Sequence, residues 1–199
     1  MGFSRNLHDR ITMIESRRLL LREWRESDLE VFAAMGADEK VMEHFPSTLT
    51  PAQSAEFVAR IRQHFVKCGY GLWAVECRNG PPFIGFVGLM QVGFDAPFTP
   101  AVEIGWRLAR EAWGRGYASE AASAALRSAF ESLELDEVVS FTVPANTRSW
   151  KVMERIGMRR SPAGDFDHPR LPEGDPLRRH VLYRMRALDW SLASEPVRD

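Results

Sequence analysis

The stretch from Ala101 to Leu133 constrains the fold more than any other. Val102, Ile104 and Trp106 alternate with Glu103, Gly105 and Arg107, the period of a strand, over Ala101 to Leu108. Beyond a short loop, Ala118, Ala122, Ala125, Ala129 and Leu133 recur at helical spacing, a small-residue face suited to close packing on a sheet. The loop carries Gly114, Arg115 and Gly116. Paired glycines let backbone approach a ligand closely, and the predicted helix, Tyr117 to Leu133, begins with unpaired N–H groups and the positive end of its dipole. Gly114, Gly116, Tyr117 and Ala118 therefore suit a phosphate, with Arg110 and Arg115 placed to add charge-assisted hydrogen bonds.

Other readings of this loop stand beside that one. The glycines also suit a plain strand-to-helix turn. A dinucleotide site would find its ribose-binding acid in Asp136, twenty residues beyond Gly116, but Ser119 occupies the third glycine's place. The preceding segments also form a hairpin instead of repeated βαβ units. No Gly-Lys-Ser/Thr follows, which counts against a triphosphate loop.

The rest of the chain supplies a mixed sheet. Residues 1–16 lack periodicity and read as a lead-in to a strand at Arg18 to Trp24. Ser27 is a candidate N-cap for a helix ending near Gly36, and Thr50-Pro51 opens an amphipathic helix to about Lys67. Gly71 to Arg78 and Phe83 to Val92 read as strands joined across Asn79-Gly80, a hairpin signal because both residues tolerate positive φ. Gly93 to Pro100 is a connection; Val138 to Val143 is a strand, and a helix runs from Asn146 to a stop at Gly157. Asp165 to Pro176 reads as a loop before a last strand at Val181 to Arg186. The predicted fold is a single α/β domain, 1–199, with a mostly antiparallel sheet and about four helices. Its core covers about 14–188, with terminal extensions at 1–13 and 189–199.

Composition narrows the function classes. The 199 residues carry 26 Lys and Arg against 27 Asp and Glu, leaving no global field for nucleic acid or an anionic membrane. The most apolar stretch, Phe83 to Met90, is too short to span a bilayer and no charged start leads into an apolar run, so neither a membrane segment nor a cleaved signal is expected. Cys68 and Cys77 lack metal or redox spacing, so a reducing cytoplasm is expected. His8, His44, His64 and His180 show no ligand spacing, and no metal is expected. Trp24, Trp73 and Trp106 alternate with polar residues and read as core, whereas Trp113 and Trp150 are the candidates for lining the site. The basic segment His168 to Arg186 reads as a solvated or partner-facing surface, and exposed sheet edges make a homodimer an expectation.

The element order, with Glu111-Ala112-Trp113-Gly114-Arg115-Gly116 and its continuation Tyr117-Ala118-Ser119-Glu120, resembles the GNAT superfamily of N-acetyltransferases over about 14–188. In that superfamily the loop is Arg/Gln-x-x-Gly-x-Gly/Ala; Glu111 departs from it. Glu103-Ile104-Gly105-Trp106 ahead of the loop, and Asn146-Thr147-Arg148-Ser149 followed by Gly157-Met158, are similar to the RimJ/RimL branch. The resemblance implies acetyl-CoA as cosubstrate. It also implies a strand pair that splays to admit it, with amides of Leu108 and Arg110 on the cofactor and Asn146 on its pantetheine arm.

Acetyl transfer needs a neutral amine, a polarised thioester carbonyl and a hydrogen bond for the departing thiolate. Backbone N–H groups around Trp106 to Leu108 are candidate donors to the carbonyl. The tyrosine that many superfamily members place seven residues after the asparagine is Met153 here, and Ser149 takes the sulfur-facing role by resemblance. Glu103 is the leading candidate base, with His168 the alternative because an imidazole titrates near neutrality. The acceptor is expected to be a primary amine, first a protein N-terminus, otherwise a small amine. Met153 and Glu111 keep open a non-catalytic acyl-CoA-binding module.

Overall fold

Thr50 accepts a hydrogen bond from the Gln53 N–H (3.2 Å) while the Gln53 side chain accepts from the Thr50 N–H (2.8 Å), a reciprocal cap that fixes a helix start. The computed structural model describes residues 10–194, and parts of both expected terminal extensions lie outside the described residues. Its elements run β1 (Met13–Glu15), β2 (Leu19–Arg22), α1 (Asp28–Ala37), α2 (Pro51–Cys68), β3 (Leu72–Cys77), β4 (Gly85–Gln91) and β5 (Val102–Leu108). They continue with α3 (Tyr117–Arg127), β6 (Glu137–Thr142), α4 (Thr147–Arg155), β7 (Arg159–Arg160), β8 (Phe166–Asp167), β9 (Arg179–Arg186) and α5 (Ala187–Ser194).

The sheet follows the order β1-β2-β3-β4-β5-β6-β9-β7, with β8 also on β9. Every pairing is antiparallel except β5 with β6. This confirms the mixed, mostly antiparallel α/β fold, and the hairpin turns where Asn79 and Gly80 stand, with the Gly80 N–H on the Cys77 carbonyl (3.2 Å).

Several boundaries differ from expectation. Met13–Glu15, read as lead-in, pairs with Leu20 to Arg22; three residues carry no period to detect. The helix read through Leu133 keeps α geometry to Arg127 and then widens into a π-helical turn, Ser128–Ser132. Two short strands, β7 and β8, interrupt the stretch read as helix end and loop. Among the described residues five α-helices form instead of about four, because α5 follows directly on β9. Ser27 makes no capping bond; Asp28 accepts from the Arg25 N–H instead (2.7 Å). No helix of the described residues is long and apolar enough to cross a membrane.

The main core lies between the sheet and the helices. Trp24, Phe32, Phe57, Phe83 and Phe86 meet in edge, tilted and stacked contacts where α1 and α2 cover β4. Ala122, Ala125 and Ala129 are fully buried, as their spacing predicts. Trp24 and Trp73 are buried, whereas Trp106, also read as core, is half-buried against the cleft described below.

One ion cluster is enclosed in this layer. Arg22, 5% exposed, donates to both oxygens of Asp28 (2.8 and 2.9 Å), to Glu76 (2.7 Å) and to the carbonyls of Pro82 (2.6 Å) and Glu23 (3.1 Å). Asp28 is 2% exposed, so removing it takes two charge-assisted bonds from a buried cation and leaves Glu76 as its remaining carboxylate. Asp28→Ala is expected to cost about 3–5 kcal/mol in denaturant unfolding. A loss below about 1 kcal/mol, the range of an exposed pair, would contradict this account.

Candidate functional site

The site begins where two strands part. β5 is registered against β4 along its whole length, from Gly85 opposite Leu108 to Gln91 opposite Val102. It meets β6 at a single position, Glu103 opposite Val139, and the splayed pair expected from the resemblance is present. The Ser140 hydroxyl donates to the Ile104 carbonyl (2.9 Å), which turns that residue's backbone toward the gap. Backbone groups alternate edges along a strand, so the amides of Trp106 and Leu108 face the same opening. Trp113, whose indole N–H donates to the Leu108 carbonyl (2.8 Å), closes the far end.

A cleft of about 490 Å³ fills the gap, and two helix starts converge on it. Gly116 is the N-cap of α3, in the left-handed region at φ 75°, with no side chain capping the first turn. Gly114 is also left-handed, at φ 71°. A Cβ at Gly114 would meet nothing within 4 Å, and one at Gly116 only the Arg18 guanidinium at 3.5 Å. Open space over two close-approach backbones, beside the N–H groups of Tyr117, Ala118 and Ser119, fits a phosphate. On the opposite wall Asn146 caps α4, its side-chain oxygen accepting from the Ser149 N–H (3.2 Å) and its amide donating to Thr142 (3.0 Å). Asn146 and Ser149 both line the cleft, as do Arg148, Lys151 and Arg155 one turn apart on α4.

Glu103 lies in this cleft with its carboxylate 3.7 Å from where a Gly105 Cβ would stand. Protein surrounds it closely although the cleft leaves it partly accessible, and desolvation pushes its pKa up to about 8. His44, from the 38–50 connection, lines the same space, and burial holds its imidazole below the usual histidine value.

The expected residues do not all meet there. Glu103, Trp106, Leu108, Trp113, Gly114, Gly116, Tyr117, Ala118, Asn146 and Ser149 line the cleft. Arg110 and Arg115 do not; Arg110 is exposed beside Asp38 (3.7 Å), and Arg115 is exposed on the loop. His168 does not line the cleft; its ring is 4.6 Å from that of Phe94 and 5.2 Å from that of His180 by centroids. Trp150 turns its indole to the Pro144 carbonyl (3.3 Å). Met153, at the position of the superfamily's tyrosine, is buried in the core. Among the described residues no cluster of His, Cys, Asp and Glu could hold a metal.

Two features escaped the sequence reading. Arg18 clamps the glycine loop: its N–H and Nε donate to Glu120 (2.7 and 2.6 Å), Nη1 donates to the Arg115 carbonyl (3.0 Å), and its guanidinium lies 4.7 Å from the Tyr117 ring centroid. A contact 102 positions away leaves no local signal. The basic stripe Arg148, Lys151, Arg155 was legible as a helical period. Arg148 also bonds Glu43 (2.9 Å) and stacks on Trp113 (4.3 Å), tying α4 across the cleft.

Comparison with known proteins agrees with this geometry. The family model described as an acetyltransferase (GNAT) domain matches residues 18–159. YnaD of Bacillus subtilis, named an N-acetyltransferase, is 27% identical over 179 residues, 89% of this chain and 99% of its own. An Aspergillus fumigatus protein named FsC-acetyl coenzyme A-N(2)-transacetylase is 32% identical over 62% of this chain and 59% of its own. The crystal structure of a GNAT-family acetyltransferase from Bacillus anthracis superposes with a TM-score of 0.74 at 27% identity, covering 88% of this chain and 99% of that one. Mycobacterium smegmatis RimJ, solved in complex with CoA-disulfide, shares the fold at a TM-score of 0.69 and 19% identity, over 91% of this chain and 94% of that one.

The cradle geometry generates a graded expectation for acetyl-CoA affinity, read by calorimetry. Gly116→Val both strains a left-handed position and fills the space above it, and should weaken binding about tenfold or more. Arg18→Ala removes an exposed clamp and should weaken it about fivefold or less. A folded Gly116→Val protein with wild-type affinity would remove the phosphate assignment.

Proposed function

The chain belongs to the acetyltransferase (GNAT) family, and we propose that it moves the acetyl group of acetyl-CoA onto a primary amine by direct attack within a ternary complex. The observation that carries this reading is the position of Glu103, a desolvated carboxylate at the point where β5 and β6 part, in the same cleft as the Gly114 to Gly116 cradle. The RimJ/RimL resemblance supports a protein N-terminus as acceptor.

Each requirement of the reaction then has a group. When bound, acetyl-CoA supplies an acyl group activated as a thioester. Gly114, Gly116 and the first turn of α3 hold its phosphates, the α4 cations add charge, and Asn146 holds the pantetheine arm. Amides of Trp106 and Leu108, fixed by the strand, donate to the thioester carbonyl as negative charge develops on its oxygen. Glu103 accepts a proton from the incoming ammonium, directly or through water, so that neutral nitrogen attacks. Ser149, at the start of α4, donates a hydrogen bond to the departing sulfur. His168 does not line the cleft, which favours Glu103 as the base.

The test is thiol release from acetyl-CoA over a panel of peptides and small amines as pH is varied. Glu103 acts as a base only when ionised, and its pKa is raised to about 8, so kcat/KM should climb as pH rises through about 8 and level off above it. Glu103→Gln should lower kcat about a hundredfold and abolish that limb, leaving the acetyl-CoA affinity near wild type. A pH profile unchanged by the substitution would exclude Glu103 as the base. Acetyl-CoA binding without thiol release from any amine would contradict the enzymatic reading and leave an acyl-CoA-binding module.

A further inference from the structure

Among the described residues two arginines are buried, and the fold treats them differently. Arg22 is enclosed with two carboxylates and two carbonyls bonded to it. Arg107, on β5 and 9% exposed, has Nε and Nη1 fully enclosed and without a hydrogen-bond partner. What surrounds its guanidinium is aromatic, with ring centroids of Phe45 at 4.3 Å, Phe86 at 5.5 Å and Phe57 at 5.6 Å. Ring faces attract a cation but accept none of its N–H groups in the plane, so the fork remains unsatisfied. Desolvation lowers its pKa to about 10, which still leaves it charged at neutral pH. A buried cation without an anion is costly, and a protein that keeps one has a use for it.

Its position says what that use is. The side chains of Glu103 and Arg107 share one face of β5 on either side of Gly105, and all three residues line the cleft. Glu103 and Arg107 are roughly 13 Å apart along the strand at about 3.3 Å per residue, and the long arginine side chain can shorten that span. Phe45, on the 38–50 connection and 39% exposed, lies over the guanidinium as a displaceable cover. The group that meets Arg107 therefore belongs to the molecule whose amine meets Glu103, on the same strand face.

We propose that Arg107 anchors a carboxylate on the acceptor, so that the substrate class is an amine that also carries a carboxylate, and its position relative to Glu103 sets which amine is presented. This rests on the acetyl-transfer reading and deepens it. A planar guanidinium pairs with carboxylate through parallel N–H bonds, while a neutral amide in that place leaves the buried charge uncompensated. Discrimination between otherwise identical acceptors should follow.

Two measurements test it. In the first, ω-amino carboxylates of increasing length, and peptides with an acidic residue beside the N-terminus, are each compared with their carboxamide counterparts. Wild type should favour the carboxylate by about tenfold or more in kcat/KM, chiefly through KM, in the arm that fits. Arg107→Gln should erase the preference, Arg107→Lys should retain part of it, and neither should alter the acetyl-CoA KM. Equal use of both partners by wild type, an undiminished preference in Arg107→Gln, or a loss of acetyl-CoA affinity instead would overturn the proposal. The second measurement needs no turnover. Millimolar glutarate should raise the melting temperature of wild type above an ionic-strength control, and should not do so for Arg107→Met, which keeps a cooperative transition. An absent shift in wild type, or an equal shift in the variant, would overturn the assignment. If no amine is turned over while the glutarate shift is present, the acetyl-transfer reading fails and the anion site at Arg107 stands.

Discussion

The divergence of two parallel strands after one pairing is the constraint on which the site depends. Had β6 continued alongside β5, the amides of Trp106 and Leu108 would be consumed by a ladder, and no polar backbone would line the gap. Because the strands part, those groups face a cleft. The flanking elements then have a place to converge: α3 leaves β5 through Gly114 and Gly116, and α4 leaves β6 through Asn146. Both helix starts carry the positive end of a dipole to the cleft, and Arg148, Lys151 and Arg155 reinforce it.

The same divergence explains the electrostatics. Glu103 sits at the last position of contact between β5 and β6, where packing is still dense enough to desolvate a carboxylate. Arg107, four positions on, has left the partner strand and is packed instead among rings brought by β4, α2 and the 38–50 connection. One strand face thus presents a carboxylate with a raised pKa and an unpaired guanidinium to the same space. Such a pair is poised for a molecule with an amine at one end and an anion at the other.

Local chemistry made much of this legible. Asn79-Gly80 sit in the hairpin turn although neither takes the positive φ expected of them, Thr50-Pro51 caps and opens α2, and Gly157, at the end of α4, takes a left-handed conformation that few other residues accept. Gly114 and Gly116 marked the cradle for the same reason. Elements of two or three residues, such as β1, β7 and β8, carry too little periodicity to see; β1 is held by the adjacent β2, and β7 and β8 by β9 further along the chain. Alternation along β5 was read with Arg107 on the polar face, and only the packing of Phe45, Phe57 and Phe86 shows that face to be enclosed. Arg110, Arg115 and His168 are of suitable type near the glycine loop or in the segment read as a loop before the last strand, but spacing does not report where a long side chain or a loop turns, and none of the three lines the cleft.

The central claim is that this cleft binds acetyl-CoA, and a calorimetric titration of the intact protein with acetyl-CoA, alongside NADH, tests it most directly. The account predicts one-to-one binding of acetyl-CoA with a Kd on the order of micromolar, corresponding to about −8 kcal/mol, and no heat from NADH. A folded protein that takes up no acetyl-CoA, or binds NADH as well, would contradict it and return the Gly114 to Gly116 loop to a structural turn.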